Sequence, residues 1–187
     1  MFLSDPADPA DVVRFEALLV KRAARVPLQH LLGEAPFRHL TLEVGRGVFV
    51  PRPETEGVAE IAIRALAAAP EGERTAVDLC TGSGAIALSI ATEVAGSVVH
   101  AVELDPDAAG WARRNVEGHA GQIAAAGSSL VLHEGDATRA HDCPAPAGAK
   151  VQRRWQVKCI AFMSRIPGSM IAHLRASCTE GGESTIR

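Results

Sequence analysis

The stretch "TAVDLCTGSGAIALSIA", Thr75 to Ala91, decides the fold. Its first five residues form a short, nearly continuous apolar run, as expected of a strand buried on both faces of a parallel sheet. "GAIALSIATEVAG" then reads as a helix. Between the two, Gly82 and Gly84 allow a sharp turn and a close backbone approach that a side chain would block. A helix starting there offers unpaired N–H groups and the positive end of its dipole. An ordinary strand-to-helix turn often needs one glycine. Two, accompanied by Thr81 and Ser83, point to a ligand loop.

Downstream, "SVVHAVEL" reads as a strand, "PDAAGWARRNVEGHA" as a helix with Pro106 in its first turn, and "SSLVLHEGD" as a third strand. Strand, helix, strand, helix, strand with short connections predicts a doubly wound, Rossmann-like α/β sheet. Upstream, "DPADVVRFEALLVKRAAR" predicts a helix capped by Asp11, with Val12, Phe15, Leu18 and Leu19 as its apolar face. "VPLQHLLGE" follows, with Gly33 as its stop. "LTLEV", Leu40 to Val44, alternates like a strand, and "GRG" is expected to turn it into "VFV" as a small hairpin. "ETEGVAEIAIRALAAA" puts Val58, Ile61, Ala62, Ala65 and Leu66 on one helical face, with acids in the first turn where the dipole favours them.

The composition excludes several classes. In 187 residues, 47% hydrophobic content and a formal net charge of −3 describe a globular chain, neither disordered nor membrane-embedded. No apolar run approaches the roughly 18 residues of a membrane span, and the acidic start "MFLSDPADPA" lacks the basic flank of a secretion signal. Cys80, Cys143, Cys159 and Cys178 have no metal-ligand spacing; scattered thiols suit a reducing cytoplasm, and no metal site is expected. Charge is divided: residues 1–148 carry 12 basic and 20 acidic side chains, residues 149–187 carry 7 and 2. The break lies at the Pro/Ala/Gly connector "CPAPAGAK". The basic tail shows neither repeat nor strand alternation, so direct nucleic-acid binding is not expected from it.

The candidate site is built from acids around the glycine loop. Glu103 closes the second strand, 19 residues past Gly84, at the carboxyl edge where ligands of such sheets bind. A carboxylate there can accept hydrogen bonds from both ribose hydroxyls, whereas Asp105 and Asp107 read as caps of the next helix. Asp136, after the third strand, either borders an adenine or simply ends a strand. "GSGAIA" also satisfies the dinucleotide pattern G-x-G-x-x-G/A, so a nicotinamide-dependent oxidoreductase stays as the rival. Asp78, inside the strand end, argues against it: an acid there suits an ammonium group and opposes a pyrophosphate. A ligand with both a ribose and an amino-acid head is S-adenosylmethionine.

Three segments, "RVPLQHLLGEAPFRHLTLEVGRGVFVPRPETEG", "AVDLCTGSGAIALSIA" and "VHAVELDPDAAGWARRNV", closely resemble the release-factor glutamine methyltransferases. The likeness runs from about Phe15 to Asp136, and its most specific mark is the PRPETE segment. It implies methyl transfer from S-adenosylmethionine to the glutamine side-chain amide in the Gly-Gly-Gln loop of peptide chain release factors, which become the implied partners. It implies cofactor contacts at Cys80, Thr81, Gly82, Ser83, Gly84 and Glu103. It places Ala137 beside the adenine, where relatives often carry an aromatic residue, and Cys80 where glycine is commoner. The resemblance also makes the proline segment a stiff strap beside the cofactor, because Pro51 and Pro53 fix φ and lack N–H donors; Arg52 and Thr55 are then candidates to line the cleft.

The family's catalytic Asn-Pro-Pro-Tyr motif does not occur in this sequence, so no catalytic residue is assigned. The expected organisation is a helical remnant (1–35), a hairpin and proline linker (36–57), a partial cofactor-binding core (58–142) and a basic tail (143–187), as if the chain were shortened at both ends. A non-catalytic S-adenosylmethionine-binding remnant is therefore the other reading. The family's strand order makes "TAVDL" a central strand, and without a fourth strand its free edge would be exposed to aggregation; "WQVKCIAFM" is a candidate to cover it.

Overall fold

A computed structural model describes residues 8–137. Asp8 opens the first helix, α1 (Pro9–Ala23), by accepting the Ala10 N–H at 2.8 Å. The cap is therefore Asp8 and not Asp11, which lies in the first turn. Pro9 explains the shift: its fixed φ and absent N–H suit the first helical position. The expected apolar face is present in sequence, but none of α1 is buried, and Val12, Phe15 and Leu19 are exposed. Helical spacing identifies which face is apolar, not what covers it. The short α2 (Leu28–Leu32) ends at Gly33, left-handed at φ 83.

The hairpin differs from the expected one. β1 (Glu34–Phe37) pairs antiparallel with β2 (Leu40–Glu43) across a two-residue turn at Arg38 and His39. Alternation holds: Ala35, Phe37, Leu40 and Leu42 are buried, and the residues between them face out. The sequence hides β1 behind Pro36, a residue that an edge strand tolerates. "GRG" is instead a tight turn closed by Val48 N–H to Gly45 O at 3.3 Å, and "VFV" forms no strand among the described residues. β1 also spans the expected 35/36 boundary.

Pro53 is the first residue of α3 (Pro53–Ala67), so the strap ends at Arg52 and Pro53 belongs to the helix. The buried face is Ala59, Ala62 and Ile63, while Ile61 is 71% exposed against the expected reading. The two arcs differ by one residue, about 100°. On this side Ala59, Ala62 and Ile63 join the main core cluster.

Beyond α3, β3 (Thr75–Leu79), α4 (Ala85–Glu93), β4 (Val98–Glu103), α5 (Pro106–Gly118), the short α6 (Ala120–Ala125) and β5 (Ser129–Glu134) follow in order. Both pairings are parallel, from Thr75↔Val98 to Leu79↔Val102 and from Val98↔Ser129 to Glu103↔Glu134. The order β3-β4-β5 steps in one direction. Right-handed crossovers then put α4 and α5 on one face. There Val99 and Ala101 pack with Ala59, Ile63, Leu88, Ile90 and the hairpin's Phe37 and Leu42. Leu79, Val102 and Ala137 form a smaller cluster, and His100 shares that side by the two-residue alternation of β4.

This is a partial Rossmann-like α/β fold preceded by a helical segment and a β-hairpin. Among the described residues β3 is an edge strand, paired with β4 alone. The tail 143–187, with "WQVKCIAFM", lies outside them. No described helix is long and apolar enough to cross a membrane, and the described residues hold no cluster of three or more potential metal ligands.

Candidate functional site

The registers bring three carboxyl ends level, so the loops after Leu79, Glu103 and Glu134 share one edge. Cys80, Gly82 and Gly84 take φ of 60, 59 and 85. Three left-handed residues in five fold the loop back on itself: Gly84 N–H donates to Thr81 O and Thr81 N–H donates to Val102 O, both at 3.0 Å. Cys80 meets the backbone demand without being glycine, at some steric cost, and its residue is exposed. A Cβ added at Gly82 would meet nothing within 4 Å, so the loop's outer side is open.

Glu103 joins β4 to this loop. Oε2 accepts the Gly82 N–H at 2.8 Å, and Oε1 accepts those of Leu104 and Asp105 at 2.9 and 3.0 Å. Asp105 caps α5 through the N–H groups of Asp107 and Ala108, as its position predicted.

Asp78 lies beneath the loop, almost fully buried. Its Oδ2 accepts the Thr81 hydroxyl at 2.7 Å and the Ala87 N–H at 3.2 Å. Ala87 is in the first turn of α4, so this carboxylate already serves the helix N-terminus. Burial pushes its pKa up to about 6, the bonds from Thr81 and Ala87 pull it down, and Glu103 adds to the rise.

The other candidates fall at different distances from this centre. Asp136 is exposed, and Ala137 is buried in the cluster with Leu79 and Val102. Arg52 is exposed with its guanidinium 4.9 Å from the Phe49 ring centroid, and its carbonyl accepts the Thr55 N–H at 3.0 Å. Pro51 and Thr55 are half-buried. The turn preceding this segment leans on α5: Trp111 Nε1 donates to Arg46 O at 3.0 Å, and a Cβ at Gly47 would come within 2.7 Å of Asp107 Cβ.

The sequence reading missed Asn115. It is buried on α5 and bonded to the Ser83 carbonyl. Its signal was there: Ala108, Ala112 and Asn115 recur at helical spacing, so a polar amide stands on an apolar stripe.

Strand order and a glycine loop at the carboxyl edge define the class, a partial Rossmann-like α/β fold. Within that class the chain is homologous to release factor glutamine methyltransferases. It is 54% identical over 127 residues to the one from Streptomyces coelicolor and 49% identical over 124 residues to the one from Bifidobacterium longum. These matches cover 68% and 66% of this chain, but only 42% of each relative. No family model matches the chain. Among solved structures, the O-methyltransferase from Bacillus cereus in complex with SAH aligns over 74% of this chain and 48% of that one, with 17% identity and a TM-score of 0.36.

Proposed function

We propose that this chain binds S-adenosylmethionine at the glycine-loop edge and is the cofactor half of an enzyme that methylates the glutamine amide of peptide chain release factors. The observation that carries the cofactor reading is Asp78. Its carboxylate sits under the first turn of α4, where a dinucleotide's pyrophosphate would bring further negative charge. A sulfonium ligand with an ammonium head brings positive charge instead. That counts against the nicotinamide alternative.

The residues fit such a ligand. Gly82 offers an open backbone surface, and Glu103, with two N–H groups on Oε1 and one on Oε2, keeps an acceptor position on Oε2 for a ribose hydroxyl. Cys80, Thr81, Ser83 and Gly84 then form the methionine side of the cradle, while Asp136 and Ala137 border the adenine. Pro51, Arg52 and Thr55 flank the cleft. When bound, S-adenosylmethionine supplies an electrophilic methyl group on sulfur; the chain's part is to hold and orient it. Release factors enter as substrate through the relatives' name.

An amide nitrogen is a poor nucleophile, so transfer depends on positioning it in line with the methyl group. The sequence contains no Asn-Pro-Pro-Tyr, and the expected outcome is cofactor binding with little or no transfer. Calorimetric titration with S-adenosylmethionine and with NAD tests the ligand. Methyl transfer from labelled cofactor to a release factor then separates an active enzyme from a binding remnant. Uptake of NAD in preference to S-adenosylmethionine would overturn the reading.

A further inference from the structure

Asn115 makes three hydrogen bonds with one side-chain amide, and they reach two separate parts of the chain. Its Oδ1 accepts the Glu43 N–H at 2.7 Å, and its Nδ2 donates to the Glu43 carbonyl at 3.0 Å. The same Nδ2 donates to the Ser83 carbonyl at 2.9 Å. Glu43 is the last residue of the hairpin, and Ser83 is the centre of the glycine loop. The side chain is 2% exposed, so none of these bonds is easily replaced by water.

We propose that Asn115 is a positioning residue of the glycine loop, acting beside Glu103 and making the loop's shape depend on the docking of the hairpin against α5. Three observations support coupling and not merely satisfaction of a buried amide. First, asparagine is a poor helix former, and alanine stands at the neighbouring buried positions 108, 109 and 112. Second, Ser83 is flanked by Gly82 and Gly84, both left-handed, so the loop owes little of its shape to side-chain packing of its own. Third, the turn that follows the hairpin presses on the same helix one turn earlier. A Cβ on Gly45 would come within 2.4 Å of the Trp111 ring, and Val44, Val48 and Ala108 share a buried cluster beside it. Hairpin and loop therefore meet on α5, and Asn115 is bonded to both.

The role assigned to the loop rests on the cofactor reading above; the coupling itself does not. The full chain without ligand is followed by amide hydrogen exchange. Asn115→Asp keeps an acceptor for Glu43 N–H but replaces both donated bonds with a carboxylate facing two carbonyls. Exchange at Gly82 and Gly84 should quicken by about tenfold or more, while Val99 and Ala101 in β4 keep their protection. Gly45→Ala, which forces the turn after the hairpin, and the hairpin with it, off Trp111, should quicken the same two amides, and should add little in the Asn115→Asp background. Uniform loss of protection across β4, unchanged loop exchange, or fully additive effects of the two substitutions would each overturn the proposal. Should Asn115→Asp fail to fold, the response of Gly82 and Gly84 to Gly45→Ala decides alone. Titration with S-adenosylmethionine keeps the readings apart: a wild-type chain that takes up none removes the cofactor assignment and leaves the exchange result intact.

Discussion

Glu103 Oε2 accepts the backbone N–H of Gly82 at 2.8 Å, across 21 residues of sequence. Its other oxygen takes the N–H groups of Leu104 and Asp105, so one carboxylate fixes the end of β4 and the loop after β3 together. Glu103→Gln turns an NH2 group toward at least one of these donors. The loss should be about 2 kcal/mol of stability by urea denaturation, since hydrogen bonds to charged groups are worth about 1.5–3 kcal/mol each. Affinity for S-adenosylmethionine should fall roughly tenfold or more, because the same carboxylate is assigned to the ribose. Unchanged affinity in a folded variant would remove Glu103 from the ligand site.

Asp78 predicts an opposition between stability and binding. Its folded pKa of about 6, raised first by burial, stands above the ordinary value of 3.8. The folded state therefore holds a proton that the unfolded chain releases, and stability falls as pH rises between those two values. Above about pH 6 the full penalty is present, about 3 kcal/mol for a gap of this size. Asp78→Asn removes the charge, so its Tm should exceed wild type at neutral pH and converge with it near pH 4. S-adenosylmethionine affinity should drop in the same variant. A stability gain that does not vary with pH would show that the buried charge is not its cause.

The order of elements from β3 to β5 was legible because an apolar run, a double glycine and helical periodicity each state one thing locally. That Asp78, the glycines and Glu103 meet at one edge was legible because the topology puts the strand ends side by side. What escaped depends on contacts between distant segments. β1 was hidden because Pro36 reads as a breaker until an edge strand is known to hold it. The buried face of α3 turned one residue from its apolar pattern, since Ala59, Ala62 and Ile63 join the core cluster that holds α4 while Ile61 faces out. Asn115 looked like one polar residue among many on "ARRNV". Only the meeting of Glu43 and Ser83 around it gives it a task.

His100 and His133 form a second titrating feature, on neighbouring strands. His100 Nδ1 lies 3.0 Å from His133 Nε2, a hydrogen bond that needs at least one neutral ring. Burial lowers both pKa values, and the charge of His133 lowers that of His100 further. The unfolded chain thus binds protons more readily below the ordinary value of 6.5, so this contribution is complete above that pH and is lost as pH falls through it. His133→Leu should flatten the decline in urea midpoint between about pH 7 and pH 5. Asp78→Asn should bend the same profile the other way, which separates the two origins. An unaltered slope in His133→Leu would mean that the pair does not govern acid sensitivity.

Arg38 sits in the hairpin turn at φ 54, an uncommon conformation for a residue with a side chain. Its guanidinium holds it there. Nε and Nη2 each donate to Glu93 at 2.6 Å, Nη2 also donates to Glu60 at 2.8 Å, and its own N–H reaches Glu56 at 3.2 Å. Glu93 first, then Glu60, raises its pKa still further, and the side chain is only 18% exposed. Hairpin, α3 and α4 are thus clasped at one point. Arg38→Ala should lose about 2 kcal/mol or more, because a bidentate pair goes and three glutamates remain close together. Arg38→Gly makes the same deletion but removes the backbone strain, and should be about 1 kcal/mol less damaging than alanine. Arg38→Lys keeps the charge without the fork and should fall nearer to alanine than to wild type. Urea denaturation of the three variants at low and high salt checks the order. If glycine proves worse than alanine, the turn is not strained; if lysine matches wild type, the clasp is a point charge and its two-pronged geometry contributes nothing.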